Sequence, residues 1–300
     1  MTLLISLGIF AVVGFVFYQI AGVRHRKAME ARPRITAQEM TDFLARMAAD
    51  TRDTLVLTLQ ERPTEATATR IGGRPWADPA RPDWPLTPEG QPMTFLGQIN
   101  FGDLPPLPDF PDSGLLQIFV DFTWSAPDRP PHLRFHDRPA GEGLMDLPAA
   151  HLTGKVRPHP FSDAVLARGY AVTAEPRTVQ ATHFIWPHDA PEYSVDIYQR
   201  LPEPGEADAL VADMEPCMDA LRESWGRHWI GGHPSFVQAD IRHDEAYRAL
   251  DRVILHLGEE GAGKARGIRI PDAGELNVMI AAQDLRARRW DKAVFNWDSS

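Results

Sequence analysis

Apolar and polar positions divide the chain into a long uncharged opening run, one amphipathic helix and a series of short strands. Leu3 to Gly22 is twenty residues without a charge. At 1.5 Å per residue such a run spans about 30 Å, the hydrocarbon thickness of a bilayer. Thr36-Ala-Gln-Glu39 has the form of a capping box, and Met40, Phe43, Leu44 and Met47 follow at helical spacing. Residues 36–60 are therefore assigned to an amphipathic helix packing on the body. Within it Leu55 to Leu59 reads either as a strand or as the helix end. Strands are predicted at Thr94–Phe101, Leu115–Phe122, Leu133–His136, Tyr170–Thr173, Ala181–Trp186, Val253–Leu257 and Glu275–Ala281, with a closing strand at 294–297. Glu206–Ser224 reads as a helix divided at Pro216. Pro75 to Pro111 is dense in proline and reads as ordered loop, pinned by Trp76, Trp84 and Phe101.

The strand pattern repeats. Ile71-Gly-Gly-Arg-Pro-Trp76 returns as Ile230-Gly-Gly-His-Pro-Ser-Phe236. Phe95-Leu-Gly-Gln-Ile99 and Val253-Ile-Leu-His-Leu257 follow at similar distances. Pro111-Asp-Ser-Gly-Leu-Leu-Gln117 and Pro271-Asp-Ala-Gly-Glu-Leu-Asn277 come next. Three blocks in the same order define an internal duplication, with copies at about 70–122 and 229–281. Pro111-Asp-Ser-Gly114 reads as a type I turn with its Gly in the left-handed position, and Pro271-Asp-Ala-Gly274 reads as the turn of the second copy. The predicted class is α+β: a duplicated antiparallel β-sheet body with flanking helices, at 61–300, plus one N-terminal transmembrane helix.

Charge sharpens the picture at the N-terminus. Residues 24–35 carry Arg24, Arg26, Lys27, Arg32 and Arg34, with no basic residue before the apolar run. That places a transmembrane anchor at 1–23 and a basic juxtamembrane linker at 24–35. By the positive-inside rule the body faces the cytoplasm from the inner membrane, on a single pass. Beyond residue 34 there are 26 basic residues against 40 acidic ones, within an overall charge of −10. Phosphate binding needs a basic face, so nucleic acid is not expected as a partner. A basic protein partner suits the acid excess. Cys217 is the single cysteine, so no internal disulfide is possible.

Motifs for chemistry are sparse. Gly258-Glu-Glu-Gly-Ala-Gly-Lys264-Ala265 fits the opening of a phosphate-binding loop but ends in Ala, where magnesium needs a hydroxyl. Glu259 and Glu260 would repel phosphate, so no nucleotide is expected. His228, His233 and His243 lack the tight spacing of zinc ligands, and no H-E-x-x-H occurs; neither metal nor cofactor is expected. No catalytic residue emerges. The copies differ at Arg74 against His233, Trp76 against Phe236, and Gln98 against His256. A cleft between the halves would be the ligand position. Its contacts would be drawn from Arg74, Trp84, Gln98, His233, Gln238 and His256.

At these residues the chain resembles the YwqG-like family, known as the domain of unknown function DUF1963. The matching pieces are Ile71-Gly-Gly-Arg-Pro75, Trp84-Pro85, Phe95-Leu96, Gln98-Ile-Asn100, Leu104-Pro105 and Gly114-Leu-Leu-Gln117. In the second half they are Gly232, Pro234, Gln238, Asp272 to Gly274, and Phe295-Asn-Trp297. The resemblance implies an α+β fold and supplies no activity, cofactor or catalytic residue. The leading functional expectation is a membrane-anchored cytoplasmic protein that recognises another protein without catalysis, with toxin neutralisation as one version. The alternative is an enzyme or small-ligand binder using the cleft between the halves.

Overall fold

The computed structural model describes residue 45 and residues 49–122, 129–152, 160–180, 227–237, 240–261 and 267–299. At its centre β1 (Thr51–Gln60) runs antiparallel to β6 (Tyr170–Gln180), from Thr51 opposite Gln180 to Gln60 opposite Ala171. Beyond β6 lie β2 (Arg70–Ile71), β3 (Thr94–Asn100), β4 (Leu115–Val120) and β5 (His132–His136). Beyond β1 lie β7 (His228–Gly231), β8 (Arg252–Leu257), β9 (Glu275–Ile280) and β10 (Val294–Asp298). Among the described residues the result is one ten-stranded antiparallel sheet, ordered β10-β9-β8-β7-β1-β6-β2-β3-β4-β5. Helices among the described residues are short, as at Asp163–Arg168 and Ala282–Arg286. The class is α+β.

The duplication is larger than the sequence blocks. Among the described residues each copy is a run of five strands, β1–β5 and β6–β10, and the copies exchange their first strands. β1 pairs with β7 of the second copy, and β6 pairs with β2 of the first. Even the irregularities repeat: the register shifts between Phe95 and Gly97 on β3, and between Val253 and Leu255 on β8. The assignment of 36–60 to a helix is corrected here. Ala45 and Ala49 are helical, but Thr51–Gln60 is the central strand. Leu55, Val56 and Leu57 are buried in succession, so both faces of β1 are covered and no alternation marks it as a strand.

β4 and β9 also bury both faces. Leu116, Ile118 and Val120 of β4 enter the shared core with Leu55, Ile254 and Val278. Leu115 and Phe119, on the opposite face, lie under the proline-rich loop with Trp76, Met93 and Trp84. Met279 of β9 is covered in the same way by Phe236 and Leu250. The sheet curls until its two arms meet. Phe122 stacks on Trp297 with centroids 5.1 Å apart, and Phe135 stacks on Trp290 at 5.5 Å. Asp109 adds a polar tie, accepting from Arg252 and Arg286 of the second copy.

The two Pro-Asp-x-Gly turns differ. Gly114 has φ 101, as expected, but Gly274 has φ −74. The left-handed residues of the second turn are Asp272 and Ala273. Gly274 is needed for space instead, because a Cβ there would press on the Asp298 carbonyl and the Ile270 side chain. Among the described residues no helix is long and apolar enough to cross a membrane. The anchor at 1–23, the linker at 24–35, the strand at 181–186 and the helix at 206–224 lie outside the described residues.

Candidate functional site

Each arm carries a transverse row of residues on the face away from the shared core. In the first arm Arg70, Gln98, Gln117 and Arg134 are successive register partners. In the second the row is Trp229, His256, Asn277 and Asn296. These rows hold the loop that follows each Gly-Gly pair. Gln98 Oε1 accepts from the Trp76 amide at 2.9 Å, and Gln117 Nε2 donates to the Trp76 carbonyl at 2.7 Å. In the second arm Asn277 does both tasks, accepting from the Ser235 amide and donating to its carbonyl at 2.6 Å. A buried loop backbone needs such partners, and a central amide side chain supplies a donor and an acceptor together. Trp76 is thus the counterpart of Ser235; its sequence pairing with Phe236 is corrected.

Where the copies meet at β2 and β6 there is a cavity of about 580 Å³. The first copy contributes Glu61 to Thr64, Arg70 and Leu144. The second contributes Ser162, Val165, Arg168, Tyr170 and Gly267, among others. The short helix Asp163–Arg168 forms one wall; the Ser162 side chain caps it by accepting from the Val165 amide. Gly73 and Gly169, both at positive φ, let the two backbones touch beside the cavity. A Cβ at Gly73 would stand 2.8 Å from the Gly169 nitrogen. At Gly267 a Cβ would overlap the Tyr170 hydroxyl, so only glycine fits there.

Arg70 is the unusual group of this wall. Its side chain is 3% exposed and donates to the carbonyls of Glu65 and Arg74, while Nε has no partner. No carboxylate pairs with it among the described residues. Burial lowers its pKa to about 10, which leaves it charged at neutral pH. Burial, with Glu61 and Glu260 nearby, raises the Tyr170 phenol, so it remains a hydrogen-bond donor.

A family model described as a domain of unknown function, DUF1963, matches residues 69–299. The chain belongs to the DUF1963 family. A search of curated proteins finds no match. The DUF1963 match begins at Thr69, yet the sheet of this DUF1963 chain needs β1, which lies ahead of it.

Of the six site residues expected from sequence, Gln238 lies outside the described residues, and none of the other five lines the seam cavity. Gln98 holds the Trp76 loop. His256 is buried, donates from Nδ1 to Asn277 Oδ1 at 2.9 Å and stacks on Trp229 with centroids 3.5 Å apart. His233 is buried, with Nε2 3.1 Å from the Asp50 carbonyl, and its own carbonyl accepts from Trp229 Nε1. Burial pushes both imidazoles down to about 3, so both are neutral. Trp229 therefore brings His233 and His256 together, but in a packed junction. Arg74 braces the loop at Leu144, Met145 and Asp146. Trp84 donates to the Met93 carbonyl and packs edge-on against Phe119.

The Gly-rich stretch after β8 starts a hairpin in which Glu260 bridges Ile268, and the Glu260 carboxylate sits 2.9 Å from His228 Nε2. Among the described residues no group of three or more His, Cys, Asp or Glu is placed to hold a metal ion. Sequence reasoning missed Arg70, Arg168 and Tyr170. A signal for Arg70 existed: one position before each Ile-Gly-Gly, the copies have Arg in one case and Trp in the other.

Proposed function

We propose that this protein is a membrane-tethered binder of a small molecule, whose site is the seam cavity between the two copies. One observation carries the reading: a cavity of about 580 Å³, within the usual range for ligand sites, is walled by both copies at a place where the buried Arg70 charge has no carboxylate partner among the described residues. The uncharged run from Leu3 to Gly22 and the five cations after it support a single-pass anchor with the body on the cytoplasmic side of the inner membrane. Native mass spectrometry of the full chain, released from its own membranes, tests the binding reading. A retained small molecule that disappears in Ala164→Trp, a change on the exposed helical wall of the cavity, is the expected result. A full chain that carries no small molecule, with or without that change, counts against it.

A second reading, recognition of a protein partner, rests on the excess of acids beyond residue 34. It would rank first if the same preparation carried a stoichiometric basic protein and no small molecule. Digestion of the body from the periplasmic face of sealed vesicles would overturn the orientation.

A further inference from the structure

We propose that the seam cavity takes a small organic carboxylate, held through Arg70. This deepens the small-molecule reading and rests on it. A guanidinium has five N–H donors, and the Arg70 side chain spends hydrogen bonds on only two carbonyls, of Glu65 and Arg74. Those acceptors are neutral, so they orient the group without cancelling its charge. Burying an unpaired charge is costly, and a protein that tolerates one at a cavity wall is organised for an incoming counterion. The planar fork of Arg matches a carboxylate in two parallel hydrogen bonds.

The rest of the lining agrees by a separate route. Arg62, Arg70 and Arg168 stand against a single acid, Glu61, in a chain whose net charge is −10. The local sign is therefore opposite to that of the molecule. Arg62 and Arg168 are exposed, whereas Arg70 is buried, so the cations run from the surface inward. Pro63, Leu144 and Val165 supply apolar wall for the body of the ligand. The Tyr170 hydroxyl is a further donor.

The test uses the full chain in lipid nanodiscs and follows its thermal unfolding with added benzoate, hexanoate and 3-phenylpropanoate, each beside its neutral amide. A ligand that binds only the native state raises Tm, by an amount that grows with the logarithm of its concentration above Kd. The expected result is a dose-dependent rise with at least one acid, binding at least tenfold weaker for its amide, and the same loss in Arg70→Met. Amides that bind as well as the acids would overturn the inference while leaving the seam site in place, provided Ala164→Trp still abolishes binding. Acids that bind Ala164→Trp undiminished would place the site elsewhere and overturn both. If no acid moves the wild-type chain, the inference falls, and the seam reading stands only if an amide does. The wild-type comparison of acid with amide does not depend on how well Arg70→Met folds.

Discussion

The two seams of the molecule are built from the same parts and end differently. At both, a Gly-Gly pair at positive φ backs onto the first strand of the other copy or the turn leading into it. At both, the residue before the shared Ile sits in the transverse row. In the β1–β7 seam that residue is Trp229, 4% exposed, stacked on His256 and bonded to the loop. In the β2–β6 seam it is Arg70, beside open space. Duplication supplied two equal junctions, and one was filled while the other kept a charge and a hollow. Repetition identifies what the fold needs twice, so the place where the copies part is where a function beyond folding is to be sought.

Substituting that pair should have the largest and most unequal effects. Trp229→Ala removes an indole from a packed junction and should cost about 3–5 kcal/mol. Arg70→Met keeps the unbranched stem of the side chain and removes a buried charge. Lost hydrogen bonds to Glu65 and Arg74 are offset by relief of desolvation, and the change should stay within about 1 kcal/mol of wild type. Urea unfolding of the full chain measures both. Equal costs would mean that Arg70 is as structural as Trp229, and the contrast between the seams would collapse.

The glycines should break the comparison the other way, by behaving alike. A Cβ at Gly73 meets the Gly169 backbone at 2.8 Å, and one at Gly231 meets the Asp53 carbonyl at 2.7 Å. Their φ values are 74° and 76°. Backbone cannot move aside as a side chain can, so Gly73→Ala and Gly231→Ala should each cost about 3 kcal/mol in the same unfolding experiment. A mild effect at Gly73 alone would show that the cavity seam is loose enough to absorb the strain.

How much of this was legible follows from where each residue's constraint arises. The Gly-Gly pairs and the β3–β4 and β8–β9 hairpins could be read because their demands are local: positive φ, a turn and a short apolar run. The first strands could not be matched. Leu55 to Leu59 and Ala171 to Val179 share no motif, because each is defined by what packs on it from the other copy. The pattern leaves Leu55–Leu59 open between strand and helix end for the same reason. Gln98 and His256 were found as a differing pair, but their burial and their hold on the loops are tertiary facts. Arg70 gives no local signal, because an Arg in a strand normally points to solvent. Identical letters do not fix the conformation: Pro-Asp-x-Gly puts Gly114 in the left-handed region and Gly274 outside it.

The smallest expected effect separates the two rows by their chemistry. Gln98 does not titrate, while its counterpart His256 is held down to about 3 by burial, against 6.5 in the unfolded chain. His233 behaves likewise, through burial first and then Arg52. Below pH 6.5 the unfolded chain takes up protons that the folded chain refuses, so stability falls with pH. The fall begins at 6.5 and continues toward 3. Between pH 7 and pH 5 each histidine should remove about 2 kcal/mol. Half-buried Glu275, raised chiefly by desolvation and also by Asp298, works in the opposite sense, so the raw slope mixes signs. The difference between wild type and His256→Gln isolates one group. His256→Gln installs in the second row the residue that the first row already uses and can still donate to Asn277. It should be less stable at pH 7 because the stack on Trp229 is lost, yet lose about 2 kcal/mol less than wild type on acidification to pH 5. Parallel pH profiles for the two proteins would mean that His256 titrates normally, and that the junction around Trp229 is open to water rather than packed.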